Sequence, residues 1–254
     1  MKAIVLTYDR NRCVADHMIA CYEELWPDHP FVFRIPYQNK ALNLISERRD
    51  YIQTSSEIRA TVLTLLEDIH DDEWVYWCID DKYPVSLNLD IVKSVFHLTL
   101  KRDLSHVSSL LFCRARNLLK PENLFPSIHY LNGLELIQRR TYHQIWIHQF
   151  LRAKVIRYLF SRLPADIPHA KHMDALKDIL EVPTDHGLYV TSTNYAVFGE
   201  STCGGVLTNN CRDSLLIKRL PLPSWHSNTT KQILLLALYE TLSRNLTVPL
   251  ETVA

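Results

Sequence analysis

The feature that most limits how this chain can fold is an alternation of short apolar runs with helix-patterned segments over its first 115 residues. Runs rich in β-branched and aromatic residues predict strands at residues 3–10, 31–38, 73–79 and 106–114. Apolar residues at helical spacing predict helices between them, at residues 11–26, 54–71 and 86–102. This order favours an α/β fold with a mainly parallel sheet.

The alternation weakens in the second half of the chain. The sequence there predicts a strand with a turn at Asn132 and Gly133, a long helix from about residue 143 to residue 162, and a strand-like region before a glycine-rich loop. An apolar closing helix is predicted at residues 231–245, and burial on two sides explains its apolar character better than a protein interface does. No repeat or linker marks a boundary, so we expect one domain.

Composition excludes several classes of protein. Lys plus Arg equals Asp plus Glu at 28 each, so no net charge draws the chain to nucleic acid, and we expect no nucleic-acid partner. The six cysteines form no CxxC pair, which argues against a zinc knuckle and favours a reduced, cytoplasmic protein. Charged residues interrupt every long apolar stretch, so no transmembrane segment is predicted.

Two adjacent carboxylates, Asp80 and Asp81, follow the apolar strand in the segment EWVYWCIDDKYPV. Ligands bind at the carboxyl ends of strands in open α/β sheets, and paired carboxylates there need a cation or donors to neutralise them. Hard oxygen ligands suit Mg²⁺ or Mn²⁺ bridging to a substrate diphosphate. A plain turn enforced by Pro84 is the alternative. The chain has no glycine-rich phosphate motif, so a bound nucleotide would depend on a metal and side chains.

Other residues carry the right chemistry for such a site. Arg212 and Lys218 follow the glycine loop and could add positive charge, or could be solvated surface residues. His186 is the best histidine candidate for a metal ligand or a proton-transfer group. The carboxylates that could act as a catalytic base are Asp174, Asp178, Glu200 and Asp213.

The segment VYWCIDDKYP resembles the DxD-type motif of GT-A glycosyltransferases, in the DDY version of small bacterial and viral sugar transferases. The segment YHQIWIHQFLRAKVI is similar to their acceptor-side helix, with Gln144, Trp146 and Leu151 as matching positions. The segment AVFGESTCGGVLTNN is similar to their late strand and glycine loop. The resemblance implies a single GT-A-like domain. Its sheet would be Rossmann-like, mainly parallel and flanked by helices, with a smaller mixed acceptor-side part.

The resemblance also implies how the chain is divided and what it does. Residues 1–115 would form the nucleotide-sugar-binding half, and residues 116–254 the acceptor-side half with the C-terminal helix. The activity would be metal-assisted transfer of a sugar from a nucleotide-diphosphate sugar to a hydroxyl of a glycan, polysaccharide or lipid-linked acceptor. We expect a cytoplasmic protein, with the inner face of the membrane as a further location.

Residue roles follow from the matched motifs. In x-Asp-Asp motifs the second aspartate ligates the metal, so Asp81 would bind Mn²⁺ or Mg²⁺ and Asp80 would contact the donor. Gln144 and Trp146 would lie on the acceptor side. Arg59 would contact the base or phosphate, unless it lies on a solvated helix face. The donor's nucleoside would meet the polar tail of the first strand, namely Thr7, Tyr8, Asp9 and Arg10.

The chain departs from the family pattern at the catalytic base. The family carries an acidic residue in a W-x-F-E setting after the tryptophan helix. This chain has IPHAKHMDALKD there, and Asp174 is the nearest carboxylate. Glu200 is the second candidate for the catalytic base.

The segment from Gly199 to Gly205 is expected to be a mobile flap over the donor.

Two other functions rival glycosyl transfer. A nucleotidyltransferase would need a glycine-rich loop after the first strand, and TYDRNRC has no glycine. A catalytically silent GT-A-like protein that binds carbohydrate or nucleotide as a partner in an assembly remains the alternative.

Overall fold

The computed structural model describes residues 1–39, 46–113, 120–165, 171–200, 202–203 and 206–223. These residues form thirteen strands, β1 to β13, and six α-helices, α1 to α6. The strands are β1 Lys2–Leu6, β2 Val32–Tyr37, β3 Arg49–Gln53, β4 Trp74–Ile79, β5 Lys82–Leu87, β6 Ser109–Leu111, β7 Leu124–Leu131, β8 Leu134–Arg139, β9 Gln149–Arg152, β10 Leu188–Thr191, β11 Ala196–Glu200, β12 Thr202–Cys203 and β13 Val206–Leu207. The helices are α1 Arg12–Leu25, α2 Ile58–Leu65, α3 Leu89–Thr99, α4 Ala153–Ser161, α5 Lys171–Ile179 and α6 Asn209–Ile217.

A central sheet runs through both halves of the described chain in the order β3-β2-β1-β4-β9-β6-β10-β8-β7. Strands β9 and β8 run antiparallel to both of their neighbours, and the other strands of this sheet run in one direction. The predicted α/β class with a mainly parallel sheet is confirmed. Among the described residues, no helix is long and apolar enough to cross a membrane.

Strand β4 shows how the sheet is covered on both faces. All six of its residues are buried. Trp74, Tyr76 and Cys78 pack into the apolar cluster that contains residues of α1, α3 and α6. Val75 and Trp77 point the other way, into a second cluster with residues of α2, α4 and α5. A strand buried on both faces needs a continuous apolar run, and that run is why WVYWCI could be recognised from the sequence.

The long helix predicted from about residue 143 to residue 162 is wrong in its first half. Residues 149–152 form β9, which lies between β4 and β6, and the helix α4 begins only at Ala153. Phe150 and Leu151 belong to clusters on opposite faces of the sheet. A short strand buried on both faces has the same apolar density as a buried helix, so periodicity alone could not separate the two.

Two further predictions concern turns in the chain. The turn at Asn132 and Gly133 is confirmed, because both residues have positive φ, 53° and 79°, and join β7 to β8. Pro84 does not enforce a turn; it lies inside β5, which pairs with β11, and only Asp80 and Asp81 form the turn. Strands β3 and β5 were not predicted. The closing helix at residues 231–245 lies outside the described residues.

Gly187 is required where β10 approaches the segment before β6. Its carbonyl accepts hydrogen bonds from the backbone N–H groups of Ser108 and Ser109, at 2.7 and 3.1 Å. A methyl group added at Gly187 would overlap the carbonyl oxygen of His106. We expect Gly187→Ala to lower the free energy of unfolding by about 3 kcal/mol, because backbone atoms must shift. Urea denaturation measures this change.

The matched control is Gly133→Asn in the β7–β8 turn. An added Cβ meets nothing within 4 Å there, and asparagine tolerates positive φ, so little loss is expected. A Gly187→Ala variant as stable as the wild type would contradict the packing described here.

Candidate active site

A cavity of about 660 Å³ opens at the carboxyl ends of β1 and β4. These strands are parallel neighbours with Leu6 paired to Ile79, so the residues that follow them emerge side by side. Thr7 directly follows β1, while Asp80 and Asp81 directly follow β4, and all three line the cavity. The polar residues that follow β1 and β4 therefore lie at the same edge of the sheet.

Asp80 lies at the floor of the cavity and is only 7% exposed. Its Oδ2 accepts a hydrogen bond from the hydroxyl of Thr7 at 2.8 Å. Its backbone N–H donates to the carbonyl of Leu6 at 3.3 Å. Burial raises the pKa of Asp80 to about 6, partly offset by the Thr7 hydrogen bond, and the charge of Asp81 raises it further. The site therefore holds a desolvated carboxylate that would gain from a nearby cation.

Asp81 is the second residue of the turn and faces a lysine. The Nζ atom of Lys82 lies 3.5 Å from Oδ1 of Asp81 and 3.0 Å from Oε1 of Glu200. Burial raises the pKa of Asp81, the Lys82 ammonium lowers it, and the Glu200 carboxylate raises it. Lys82 thus sits between two carboxylates, one in the cavity and one at the end of β11.

A buried histidine fixes the carbonyl just before the two aspartates. Nε2 of His148 lies 2.9 Å from the Ile79 carbonyl and must carry the proton, so Nδ1 is the acceptor. The Tyr22 hydroxyl lies 2.6 Å from Nδ1 and donates to it, and the Tyr76 hydroxyl donates to Tyr22 at 2.7 Å. Burial lowers the pKa of His148 to about 3, so the ring is neutral. This chain of hydrogen bonds anchors the end of β4.

The residues after β1 line the side of the cavity next to Thr7. Tyr8 is 40% exposed, and its hydroxyl accepts a hydrogen bond from Arg10 at 2.7 Å. Both side chains line the cavity. Asp9 does not. Its backbone N–H donates to the side chain of Gln38 at 2.9 Å, and its carboxylate accepts from the N–H groups of Gln38 and Asn39. Asp9 therefore links the ends of β1 and β2.

The second half of the chain contributes Trp146 and Asp174 to the cavity wall. The indole Nε1 of Trp146 donates to Oδ1 of Asp174 at 2.5 Å. The Nζ atom of Lys177 lies 3.4 Å from the same oxygen. Trp146 and Asp174, which are 28 positions apart in the sequence, are thus hydrogen-bonded to each other. Their contact places an aromatic ring next to a carboxylate in the cavity wall.

Three more of the sequence-predicted site residues, Arg59, Gln144 and Arg212, do not line the cavity, and neither do Asp9, His186 and Glu200. Arg59 donates to the carbonyl of Leu163 at 2.9 Å and so connects α2 to the end of α4. Gln144 is buried, and its backbone carbonyl accepts a hydrogen bond from the side-chain amide of Gln149 at 2.6 Å. Arg212 pairs with Asp213, its neighbour in α6, at 2.8 Å.

His186, predicted as a metal ligand, is not brought to Asp81. It is buried, its Nδ1 lies 2.7 Å from the hydroxyl of Tyr142, and its ring meets Tyr158 edge-on. Burial lowers its pKa. His186 does not line the cavity, and its contacts give it a place in the packing of the second half of the chain.

The flap prediction falls partly outside the described residues. Gly199 lies in β11, paired with Tyr83 of β5, and a Cβ there would come within 3.3 Å of Cys211 and Val85. Gly199 therefore belongs to a packed strand. Gly204 and Gly205 lie outside the described residues.

The donor set at the turn fits a hard divalent cation. Among the described residues, no three His, Cys, Asp or Glu side chains come together as a ready-made metal cage. Mg²⁺ needs no such cage, because it is commonly held by one or two carboxylates with substrate phosphates and waters completing the shell. Asp81 supplies such a carboxylate, and the desolvated Asp80 beside it adds negative charge.

Lys82 is a charged site residue that sequence reasoning missed, and Gln38, Ser56 and Thr61 also line the cavity without having been predicted. Lys82 follows the two aspartates directly and opens the strand KYPVSL, in which Tyr83 and Val85 are buried. That pattern was available as a strand signal, but Pro84 led to the interpretation of a turn. Its second carboxylate, Glu200, is 118 residues away, and no local pattern links the two.

No protein-family model matches the chain, and no curated protein matches it. Solved structures do. The S. aureus TarS structure covering residues 1–349 matches 77% of this chain at 15% identity with a TM-score of 0.46. This chain spans 59% of that structure's length. The galactosyltransferase LgtC, in complex with donor and acceptor sugar analogs, matches 73% of this chain and 68% of its own at 12% identity, with a TM-score of 0.39.

A third structure of a different kind also matches. The Francisella tularensis 2-C-methyl-D-erythritol 4-phosphate cytidylyltransferase (IspD) covers 80% of this chain and 94% of its own at 10% identity, with a TM-score of 0.40. Matches of this size concern the arrangement of the chain and say nothing of its substrate.

Proposed function

We propose that this chain transfers a sugar from a nucleotide-diphosphate sugar to a hydroxyl of a carbohydrate or lipid-linked acceptor, with Mn²⁺ or Mg²⁺ as cofactor. The observation that carries the proposal is the cavity itself. It places the paired carboxylates of Asp80 and Asp81 beside the polar end of β1, and it includes an aromatic side chain and a carboxylate from the second half of the chain. Fold resemblance alone would not support it, because one fold hosts many activities.

The donor side of the proposal rests on Tyr8, Arg10 and Lys82. The exposed ring of Tyr8 offers a surface for a nucleoside base, and Arg10 and Lys82 place two cations in the same cavity. A diphosphate is best held by such cations, because charge-assisted hydrogen bonds to its oxygens are stronger than neutral ones. Asp81 would hold the divalent metal and Asp80 the ribose or sugar hydroxyls. When bound, the metal supplies Lewis-acid stabilisation of the leaving diphosphate.

The acceptor side of the proposal rests on Trp146 and Asp174. A tryptophan ring is an amphipathic surface suited to one face of a sugar. The Asp174 carboxylate keeps one oxygen on the Trp146 indole, and its side chain is 54% exposed, so the other oxygen can meet an incoming hydroxyl. Asp174 would take the proton of that hydroxyl as general base. Glu200 is the weaker candidate, because its carboxylate binds Lys82.

Asp174→Asn is expected to lower the transfer rate by about a hundredfold or more, which is the usual contribution of a positioned general base. An asparagine oxygen can still accept the Trp146 hydrogen bond, so donor binding should be unchanged. Initial rates of transfer and calorimetric binding of the donor measure the two quantities separately.

Asp178→Asn is the matched control for this variant. Asp178 also pairs with Lys177, at 3.3 Å, but does not line the cavity, so its rate should match the wild type. Full transfer activity in Asp174→Asn would rule out Asp174 as the base.

A thermal-shift screen of nucleotide sugars, with and without Mn²⁺, tests the proposed function. A bound donor stabilises the folded protein by RT ln(1 + [L]/Kd), so one nucleotide sugar should raise the melting temperature more with Mn²⁺ than without it. Slow hydrolysis of that donor would then separate an enzyme from a silent binding protein. No shift with any nucleotide sugar would contradict the proposal.

A further inference from the structure

Lys82 has an unusual position for a cavity-lining cation. Its side chain is 16% exposed, and its ammonium lies 3.5 Å from Asp81 and 3.0 Å from Glu200. Glu200 is its cross-strand partner, because β5 and β11 pair with Glu200 opposite Lys82. The ammonium is therefore held at a defined place between one carboxylate on the β4–β5 turn and one on the end of β11.

The position of Lys82 conflicts with a metal on Asp81. A divalent cation at Asp81 and the Lys82 ammonium would compete for the same carboxylate and would repel each other across a few ångströms. Lysine suits such an exchange, because its ammonium is a compact charge on a flexible stem, whereas a planar guanidinium would be locked in a bidentate pair. Glu200 offers the Lys82 ammonium a second anion. If a metal displaced the ammonium from Asp81, the ammonium would therefore still be paired with Glu200.

We propose that Lys82 is the internal counter-ion of Asp81 in the donor-free protein, and that a divalent metal displaces it when the nucleotide diphosphate binds. The freed ammonium, still near Glu200, then contacts the diphosphate and supports its departure as leaving group. Lys82 would thus be a catalytic residue that also lowers the affinity of the empty site for metal alone. The inference rests on the proposed function, since it assumes a metal and a diphosphate in this cavity.

The test compares binding of two simple probes to the wild type and to Lys82→Met. The methionine keeps an apolar stem of similar length and removes the charge. Calorimetry with Mn²⁺ alone should show binding about tenfold tighter in Lys82→Met, because a competing cation at salt-bridge distance is gone. Calorimetry with inorganic pyrophosphate at saturating Mn²⁺ should show binding about tenfold weaker, because a cation for the diphosphate is gone.

Two further variants make the result specific. Lys93→Met removes an ammonium from the Lys93–Asp28 ion pair, whose atoms lie 2.8 Å apart and whose residues do not line the cavity, so neither affinity should change. Lys82→Arg keeps the charge and should restore part of the pyrophosphate affinity. Melting temperatures of all variants check that each is folded.

We expect Lys82→Met to raise the affinity for Mn²⁺ and to lower the affinity for pyrophosphate. If Lys82→Met moves neither, or weakens both together, Lys82 is not a counter-ion that metal displaces, and the inference is overturned while the proposed function stands. If pyrophosphate binds the wild type equally well without Mn²⁺, the exchange is also overturned. If the wild type binds neither Mn²⁺ nor pyrophosphate, the proposed function itself fails.

Discussion

The rate of sugar transfer by the Asp81→Asn variant is expected to fall by about a hundredfold or more, and most of this loss should be in the part of the rate that depends on Mn²⁺. The substitution keeps the size of the side chain and removes its charge. An uncharged amide oxygen binds a hard divalent cation more weakly than a carboxylate does, and Glu200 would then be the carboxylate left beside the Lys82 ammonium. A hundredfold loss corresponds to about 2.7 kcal/mol of transition-state stabilisation. Initial rates over a range of Mn²⁺ concentrations measure it.

The control for Asp81→Asn is Asp28→Asn, which removes a carboxylate from an exposed ion pair with Lys93. That variant should transfer sugar at the wild-type rate. An Asp81→Asn enzyme that keeps its rate and its dependence on Mn²⁺ would show that another residue holds the metal.

The second large effect concerns stability and has the opposite sign. Asp80→Asn is expected to stabilise the fold by roughly 2–3 kcal/mol at pH 7.5, while weakening donor binding. The folded pKa of Asp80, about 6, lies above its ordinary value of 3.8, because the carboxylate is buried. Keeping this group ionised therefore costs folding free energy at neutral pH. An uncharged asparagine avoids the cost and can still accept the Thr7 hydrogen bond.

The pH dependence of this effect follows from the two pKa values. Well below its ordinary pKa of 3.8, the Asp80 carboxyl is protonated in the folded and the unfolded chain and costs no folding free energy. Between pH 4 and pH 6 the folded protein binds the extra proton, so wild-type stability from this group falls as the pH rises. The advantage of Asp80→Asn should thus be full above pH 6 and vanish towards pH 4. Urea denaturation at several pH values measures it.

Asp103→Asn, at an exposed loop position, is the control, and we expect it to leave the free energy of unfolding unchanged across this pH range. A destabilised Asp80→Asn variant at pH 7.5 would mean that the Asp80 carboxylate carries a structural role in the empty site.

The parts of the fold that could be predicted were those with strong local patterns. The run WVYWCI followed by Asp80 and Asp81 identified both a buried strand and the residues at its end, because a strand buried on both faces needs a continuous apolar run and this run is short and rich in aromatic and β-branched residues. The helical spacing of apolar residues that predicted α1, α2 and α3 was an equally local pattern. The position of β9 was not predictable, since its partners β4 and β6 lie far away in sequence and its short apolar run also fits a helix.

Local sequence patterns located site residues where a strand end determined their position, whereas Trp146 and Asp174, which also line the cavity, were indicated by the family resemblance. Thr7, Tyr8 and Arg10 line the cavity because they follow a parallel neighbour of β4. Arg59 and His186 had plausible local signals, yet distant partners decide their orientation. The Arg59 guanidinium meets the carbonyl of Leu163, 104 residues away, and His186 meets Tyr142. Sequence patterns locate a residue on an element and do not show which way a long or buried side chain turns.

We propose above all that Asp80 and Asp81 hold a nucleotide diphosphate through a divalent metal. Calorimetric titration of the nucleoside diphosphate of the preferred donor, with and without Mn²⁺, tests it on the wild type, Asp81→Asn and Asp80→Asn. We expect tight binding by the wild type only with Mn²⁺, loss of the Mn²⁺ effect in Asp81→Asn, and weaker binding with part of the Mn²⁺ effect in Asp80→Asn. Equal, metal-independent binding by all three proteins would contradict the account and leave the aspartate pair as a turn.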